Sequence, residues 1–128
     1  MSEPLRYLNN AKETLSKSKI EDNIYLDDKY VKSACGVAYL GVLKAIDEYL
    51  QKRGLLKKEL PRSVDAYRGA LKKYVSAHNG KLLRQFDALY HELHIAGYYR
   101  GDLLHTDMVK TAIRQAKEFI DKVRRSHN

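Results

Sequence analysis

The sequence predicts an all-α fold: an up-down bundle of four to five antiparallel helices in one domain, residues 1–128. Proline occurs only 2 times and glycine 7 times, and such a composition favours helix over frequent turns. Apolar residues recur three and four positions apart along most of the chain, which is the period of amphipathic helices. The segments between these stretches are short, and short connections imply antiparallel neighbouring helices.

The first predicted helix covers residues 3–18. Ser2 directly precedes it and is a suitable N-cap because its hydroxyl oxygen can accept a hydrogen bond from a free backbone amide. Residues 20–27 break the helical pattern and are predicted to form a connector. Its alternating apolar residues predict that Ile24 and Leu26 lie on the core.

The second predicted helix, residues 28–53, is the longest and the most apolar. Its residues 33–38 read Ser-Ala-Cys-Gly-Val-Ala, so the side chains are small on nearly every side and another helix can approach closely. Gly36 and Gly41 each cost roughly 1 kcal/mol relative to alanine, a cost that packing usually offsets. We therefore place this helix at the centre of the bundle, where it is also a candidate subunit interface, with Cys35 as a buried thiol.

Three shorter helices complete the predicted fold. The first covers residues 64–77 and has Ser63 as its N-cap, and the second covers residues 81–99. The last helix begins at Thr106 or Asp107 and ends near residue 125. The sequence His-Asn-Gly at 78–80 predicts a stop between the first two of them. The side chains expected to face the core are Val64, Tyr67, Leu71, Tyr74, Val75, Leu82, Phe86, Leu89, Leu93, Ala96, Met108, Ala112, Ile113, Ala116, Phe119, Ile120 and Val123.

The composition restricts the partners of the protein. The net charge of +8 attracts phosphate groups and favours RNA, although a generic solvated basic surface gives the same value. The 10 tyrosines can stack on bases or pack in the core with the hydroxyl at its edge. No apolar run approaches the ~18 residues of a membrane span, and no signal-peptide core is apparent. We expect a cytoplasmic protein without a membrane partner.

The candidate site lies between the last two helices, at Arg100 and His105. On an unbroken helix, five residues rotate a side chain by about 140°, so the two groups would face different sides. Gly101-Asp102 is a natural interruption, and Thr106-Asp107 is a natural cap for the next helix. A break between the two helices would let the guanidinium and the imidazole line one groove.

An arginine and a histidine in one groove suit a phosphodiester. Arg100 can hold phosphate oxygens and stabilise charge in the transition state, and His105 can exchange a proton with a 2′-hydroxyl or a leaving oxygen. Tyr99 precedes the pair and Asp102 lies between its two members, and both complete the candidate RNA-binding site. A full acid–base cycle needs more than one such pair, which a two-fold homodimer would supply.

The motif Arg-x-x-x-x-His at residues 100–105 resembles that of the HEPN superfamily. Residues 34–45 are similar to the alanine- and aromatic-rich second helix of that group. The resemblance implies a helical bundle that is usually a homodimer, with the arginine and histidine of both subunits facing a shared cleft. Catalytic members resemble ribonucleases that use neither a metal nor a cofactor, often toxins paired with a nucleotidyltransferase antitoxin. Other members are non-catalytic modules that bind a nucleotide or a protein.

Two departures from the HEPN pattern favour the non-catalytic alternative. Gly101 follows the arginine, where active members often carry a polar residue. Asp107 stands two positions after the histidine, where members paired with a nucleotidyltransferase often have tyrosine, and its charge would repel phosphate. A third alternative is a structural dimer whose tyrosine-rich surface docks another protein.

Two further histidines, His91 and His94, flank Glu92 in the pattern His-Glu-x-His. This pattern is one residue short of the spacing that binds zinc in metalloproteases. A two-histidine metal site is the alternative, but we predict no metal ligands here and two polar residues on a solvated helix face.

Overall fold

The computed structural model describes residues 2–75 and 80–126. Its fold is an all-α bundle, which confirms the predicted fold class. A π-helical segment directly continues the fourth helix, and a 3-10 turn at Lys57–Glu59 lies between the second and third helices. The helices are α1 (Glu3–Leu15), α2 (Asp28–Lys52), α3 (Val64–Tyr74), α4 (Lys81–Leu89), the π segment (Tyr90–Arg100) and α5 (Thr106–Arg125).

Helix α2 is the central element, as its small side chains predict. It contacts α1, α5 and the π segment along its length, and Cys35 is 0% exposed. Gly41 lies against α1, because a Cβ added there would come within 3.0 Å of the Pro4 carbonyl oxygen and of the Tyr7 Cβ. The close approach that the small residues predict is therefore confirmed.

The connector between α1 and α2 forms a β-hairpin that the sequence reading missed. Strands β1 (Ile20–Glu21) and β2 (Ile24–Tyr25) pair antiparallel. The two turn residues, Asp22 and Asn23, have φ angles of 52° and 63°. Aspartate and asparagine tolerate this left-handed conformation, which tight two-residue hairpin turns require.

The hairpin buries a different side chain from the two predicted. Tyr25 is 3% exposed, whereas Ile24 is 42% and Leu26 is 55% exposed. The prediction that Ile24 and Leu26 lie on the core was therefore wrong. The alternation of buried and exposed side chains was predicted correctly, but it is shifted by one residue. Successive side chains of a strand point to opposite faces, so this shift exchanges the buried residues for the exposed ones.

Several helix ends differ from the predicted ones. Helix α1 ends at Leu15 and not at residue 18. Ser18 instead lies in the following turn, where its Oγ accepts a hydrogen bond from the Asp27 amide at 3.2 Å. The cap at Ser63 is confirmed, since its Oγ accepts from the Ala66 amide at 3.1 Å. The predicted end of that helix, at residue 77, and the first two residues of the stop signal, 78 and 79, lie outside the described residues.

The predicted core is largely confirmed, with exceptions at the helix ends nearest the candidate site. Met108 is 52% exposed and Val109 is buried in its place. In the π segment, Ala96 is only half-buried and Gly97 is buried. Tyrosines at the edge of the core keep a hydrogen bond, as the core reading expects: the Tyr67 hydroxyl donates to Asp47 Oδ1 at 2.9 Å.

Within residues 2–75 and 80–126, every helix falls short of the length or apolar character required to cross a lipid bilayer.

Candidate functional site

The backbone turns sharply between Arg100 and His105, as predicted. The π segment ends at Arg100, and Gly101 takes the left-handed conformation with φ 68° and ψ 27°. The amide of Asp102 donates a hydrogen bond to the Ala96 carbonyl at 2.9 Å, which closes the helix end. A glycine suits this position because a left-handed backbone costs other L-residues energy.

The chain after the turn is held against the β-hairpin. The amide of Tyr25 donates to the Leu104 carbonyl at 2.9 Å, and the amide of Thr106 donates to the Asn23 carbonyl at 2.9 Å. Ile24 and His105 also form an isolated antiparallel bridge. The backbone of His105 is therefore fixed by the hairpin and not only by the helix that follows.

His105 is itself the N-cap of α5, a role that was predicted for Thr106-Asp107. Its backbone is extended, with φ −72° and ψ 130°, and its Nδ1 accepts a hydrogen bond from the Asp107 amide at 3.3 Å. An accepting Nδ1 carries a lone pair, so the neutral ring has its proton on Nε2. The exposed imidazole therefore offers an N–H donor to a ligand.

Arg100 is exposed at the last position of the π segment. Among the described residues, no hydrogen bond or ion pair joins Arg100 to His105 or to Asp102. Tyr99 is 74% exposed, and Asp102 is also exposed. The turn thus separates the two helices as expected, while the convergence of Arg100 and His105 on one crevice stays a prediction.

A second cation lies beside the turn. The side chain of Lys32, from α2, passes over Gly101, because a Cβ added to that glycine would lie 2.9 Å from the Lys32 Cε. Lys32 was not among the predicted site residues. Its sequence signal was only a basic residue on the central helix, and the contact depends on how α2 packs against the π segment.

An apolar groove adjoins this turn, between α2 and the π segment. Its volume is about 490 Å³, within the range of roughly 300–1,000 Å³ typical of ligand sites. Leu40 and Tyr98 leave about half of their side-chain surface open to solvent, at 49% and 50% exposure. The groove is lined mainly by Gly36, Val37, Leu40, Leu43, His94 and Tyr98.

The wall of the groove is a ladder of stacked rings on the π segment. His94 stacks on Tyr90 with ring centroids 5.5 Å apart, and on Tyr98 at 5.8 Å with 17° between the ring planes. Tyr39 of α2 closes the inner side, 5.0 Å from the His94 ring. The prediction that His94 lies on a solvated face was therefore wrong, whereas His91 is exposed as expected.

The floor of the groove depends on the glycine at position 36. A Cβ there would lie 2.8 Å from Cδ1 of Tyr98, so only glycine lets the ring rest on α2. The signal for this site was present in the sequence as small residues on α2 and rings spaced by four positions on the later helix. These two patterns were not connected because the packing of the two helices was unknown.

The cysteine near the groove is not a suitable nucleophile. Burial raises the pKa of the Cys35 thiol to about 12, and the nearby Glu92 carboxylate adds to the increase. A thiol with such a pKa remains protonated and unreactive near neutral pH. Burial likewise raises the pKa of Tyr39 to about 12, with a further contribution from Tyr90.

Metal ligands do not cluster at the site. Within the described part of the chain, no group of three or more histidine, cysteine, aspartate or glutamate side chains is arranged to hold a metal ion.

Comparison with known proteins places the chain in a family. A family model described as "Domain of unknown function (DUF5618)" matches residues 1–125. The chain belongs to the DUF5618 family. The DUF5618 chain is also similar to a solved structure described as a "protein of unknown function from Dyadobacter fermentans", with 38% sequence identity and a TM-score of 0.78. This similarity covers 96% of the DUF5618 chain and 92% of the other chain. No curated protein matches.

Proposed function

We propose that the protein is a HEPN-like RNA-binding module, and that its contact face lies where the π segment meets α5. The observation that carries this proposal is that Tyr98, Tyr99 and Arg100 are all exposed at the end of the π segment, where Arg100 forms no ion pair with any described residue. The face consists of Lys32, Tyr98, Tyr99, Arg100 and His105, and it is called the turn face below.

The turn face offers two tyrosine rings to bases. Tyr98 is 50% and Tyr99 is 74% exposed, and Tyr98 is the outermost ring of the ladder that begins at Tyr90. Stacking of an unpaired base on an aromatic side chain contributes about 1–3 kcal/mol. Single-stranded RNA is the form of RNA whose bases are free to stack in this way.

The same face offers donors to phosphate. The guanidinium of Arg100 has no acidic partner among the described residues, so no salt bridge needs to be broken on binding. Its planar fork can bind two phosphate oxygens. His105 adds an Nε2 proton, and Lys32 adds a second cation beside Gly101.

The hydrogen bonding of His105 favours binding over cleavage. A general base needs a free lone pair that faces the 2′-hydroxyl. In the capped imidazole the lone pair on Nδ1 is directed to the Asp107 amide, while the exposed nitrogen carries the proton. This ring can donate a hydrogen bond to a phosphate oxygen, but it has no free lone pair with which to accept the proton of an attacking hydroxyl.

Metal-independent ribonuclease activity is the second candidate function. It is favoured by the exposure of both Arg100 and His105. A homodimer that faces two turn faces across a two-fold axis would add a second histidine, and one of the two rings would have to release its hydrogen bond to the Asp107 amide in order to act as the base. If the protein is a HEPN-like ribonuclease, a nucleotidyltransferase antitoxin is the expected partner. Size-exclusion chromatography with light scattering tests whether the protein forms the dimer.

Fluorescence anisotropy with a labelled single-stranded RNA of 12 nucleotides tests binding. We expect Arg100→Gln to weaken binding and to lower the slope of log K against log salt by about 0.7, as one lost phosphate contact predicts. Tyr98→Leu keeps the apolar contact with α2 and should weaken binding at least about fivefold. Arg124→Gln is the charge-matched control, because it lies about 28 Å from His105 along α5.

Equal affinities for the Arg100→Gln and Arg124→Gln variants would refute the turn face as the RNA site. Cleavage is scored separately, by incubation with RNA in the presence of a chelator. Products with 2′,3′-cyclic phosphate ends that disappear in His105→Asn would establish the ribonuclease over the binding module. Binding without any cleavage would support the module.

A further inference from the structure

A second groove lies between the end of α1, the β-hairpin and the first half of α5. Its volume is about 540 Å³, which again matches the size of typical ligand sites. Its floor is apolar, because Leu15 is 6% and Ile113 is 3% exposed, and Ile20 projects at its edge with 52% exposure. This groove does not share a lining residue with the groove beside Tyr98.

Three cations surround this apolar floor. Lys12 comes from α1, and Lys110 and Arg114 come from α5. No carboxylate lines the groove, and within residues 2–75 and 80–126 none of the three cations forms an ion pair. No acidic side chain of the lining offsets these charges, an arrangement that favours an anionic ligand.

The two serine hydroxyl groups of the groove already have backbone partners. Ser16 Oγ donates to the Glu13 carbonyl at 2.6 Å. Ser18 Oγ donates to the Lys19 carbonyl and accepts from the Asp27 amide, both at 3.2 Å. The three cations and the Tyr25 hydroxyl are thus the polar groups that remain for a ligand. Because no side chain there accepts strongly, an anionic head group fits better than a neutral polar one.

We infer that this groove binds an organic anion with an aliphatic body, of the class of medium-chain carboxylates. The carboxylate would lie between Lys12, Lys110 and Arg114, and the chain would cover Leu15 and Ile113. An inorganic anion would leave the apolar floor exposed to water. A nucleic acid would find no ring to stack on, because Tyr25 is only 3% exposed. This inference does not depend on the proposed RNA-binding function.

The probe is decanoate below its micellar concentration, with decanol as the neutral analogue, followed by amide chemical shifts in NMR. We expect saturable decanoate shifts at residues 12–20 and 110–114, and weaker binding of decanol. Arg114→Gln should weaken decanoate binding about fivefold, the effect of one partly exposed charge pair. Lys117→Gln, on the same helix but outside the groove, should leave it unchanged. Ile20→Ser should weaken binding of both ligands, and because Ile20 is 52% exposed the change leaves the core intact.

Three outcomes would overturn the inference. Decanol that binds as tightly as decanoate would show that the cations do not select the ligand. Inorganic phosphate that shifts the same amides with equal affinity would define a bare anion site. Single-stranded RNA that shifts these amides while decanoate does not would assign the groove to RNA. Loss of RNA binding at the turn face alone would not affect the result with decanoate.

Discussion

Gly97 of the π segment touches Cys35 of α2 so closely that a Cβ on the glycine would lie 2.5 Å from the cysteine Sγ and 2.6 Å from its Cβ. Real side chains do not tolerate such distances, so a larger residue must push the two elements apart. The contact therefore fixes the distance between α2 and the π segment, and with it the width of the groove beside Tyr98.

Replacing Gly97 tests this contact. We expect Gly97→Ala to lower the free energy of unfolding by about 1–3 kcal/mol, because overpacking a rigid interface forces backbone shifts. The matched control is Gly69→Ala in α3, where nothing lies within 4 Å of the new Cβ. That change should stabilise the protein by up to about 1 kcal/mol through helix propensity. Urea unfolding measures the free energy of unfolding of both variants. A value for Gly97→Ala equal to that of the wild type would contradict the close contact between Gly97 and Cys35.

Gly36→Ala should alter the groove more than the fold. The added Cβ meets Cδ1 of Tyr98 at 2.8 Å, but this ring is half-exposed and can swing outward. We expect a smaller loss of stability than in Gly97→Ala, together with weaker RNA binding, because the ring leaves its stack on His94. Ring-to-ring nuclear Overhauser effects between Tyr98 and His94 measure the displacement. Intact effects combined with weakened RNA binding would assign the loss to another cause.

The buried thiol predicts a loss of stability at alkaline pH. Burial raises the pKa of Cys35 in the folded protein from 9.0 to about 12. The stability that comes from keeping the thiol neutral is fully present below pH 9 and is lost as the pH rises from 9 towards 12. In that window the wild type should lose up to about 1.4 kcal/mol per pH unit relative to Cys35→Ala. Urea unfolding between pH 8 and 10.5 measures this difference, and parallel pH profiles would contradict it.

The capping role of His105 can be separated from its role toward RNA. His105→Ala removes the acceptor for the Asp107 amide and should cost about 0.5–2 kcal/mol, the usual effect of losing an N-cap. His105→Asn keeps a capping oxygen and should retain most of the stability while removing the imidazole. Thermal unfolding compares the two. Equal stability of both variants and the wild type would show that the hydrogen bond to Asp107 contributes nothing.

The sequence predicted the helices because their apolar period depends only on local spacing. It also predicted the break at Gly101, where a glycine follows a long helical pattern and a suitable helix start comes five residues later. It predicted the phase of short segments less well. Tyr25 replaced Ile24 in the core, and Val109 replaced Met108, because a shift of one residue costs little until tertiary contacts select a face.

The candidate site was only half visible in the sequence. Arg100 and His105 were found because they flank a break in one continuous stretch. The ladder of Tyr90, His94 and Tyr98 was missed because it became a site only through its packing against Gly36. The contact of Lys32 with the turn was missed for the same reason. Residues from two distant helices meet there, and periodicity within one helix carries no information about such a meeting.

Amide chemical-shift mapping with single-stranded RNA tests the central proposal most directly. If the turn face binds RNA, the largest shifts will lie at residues 98–105 and at 32–36, and they will saturate together as RNA is added. They will shrink in Arg100→Gln but not in Arg124→Gln. Shifts confined to the far end of α5, or spread evenly over the basic surface without saturation, would contradict the proposal.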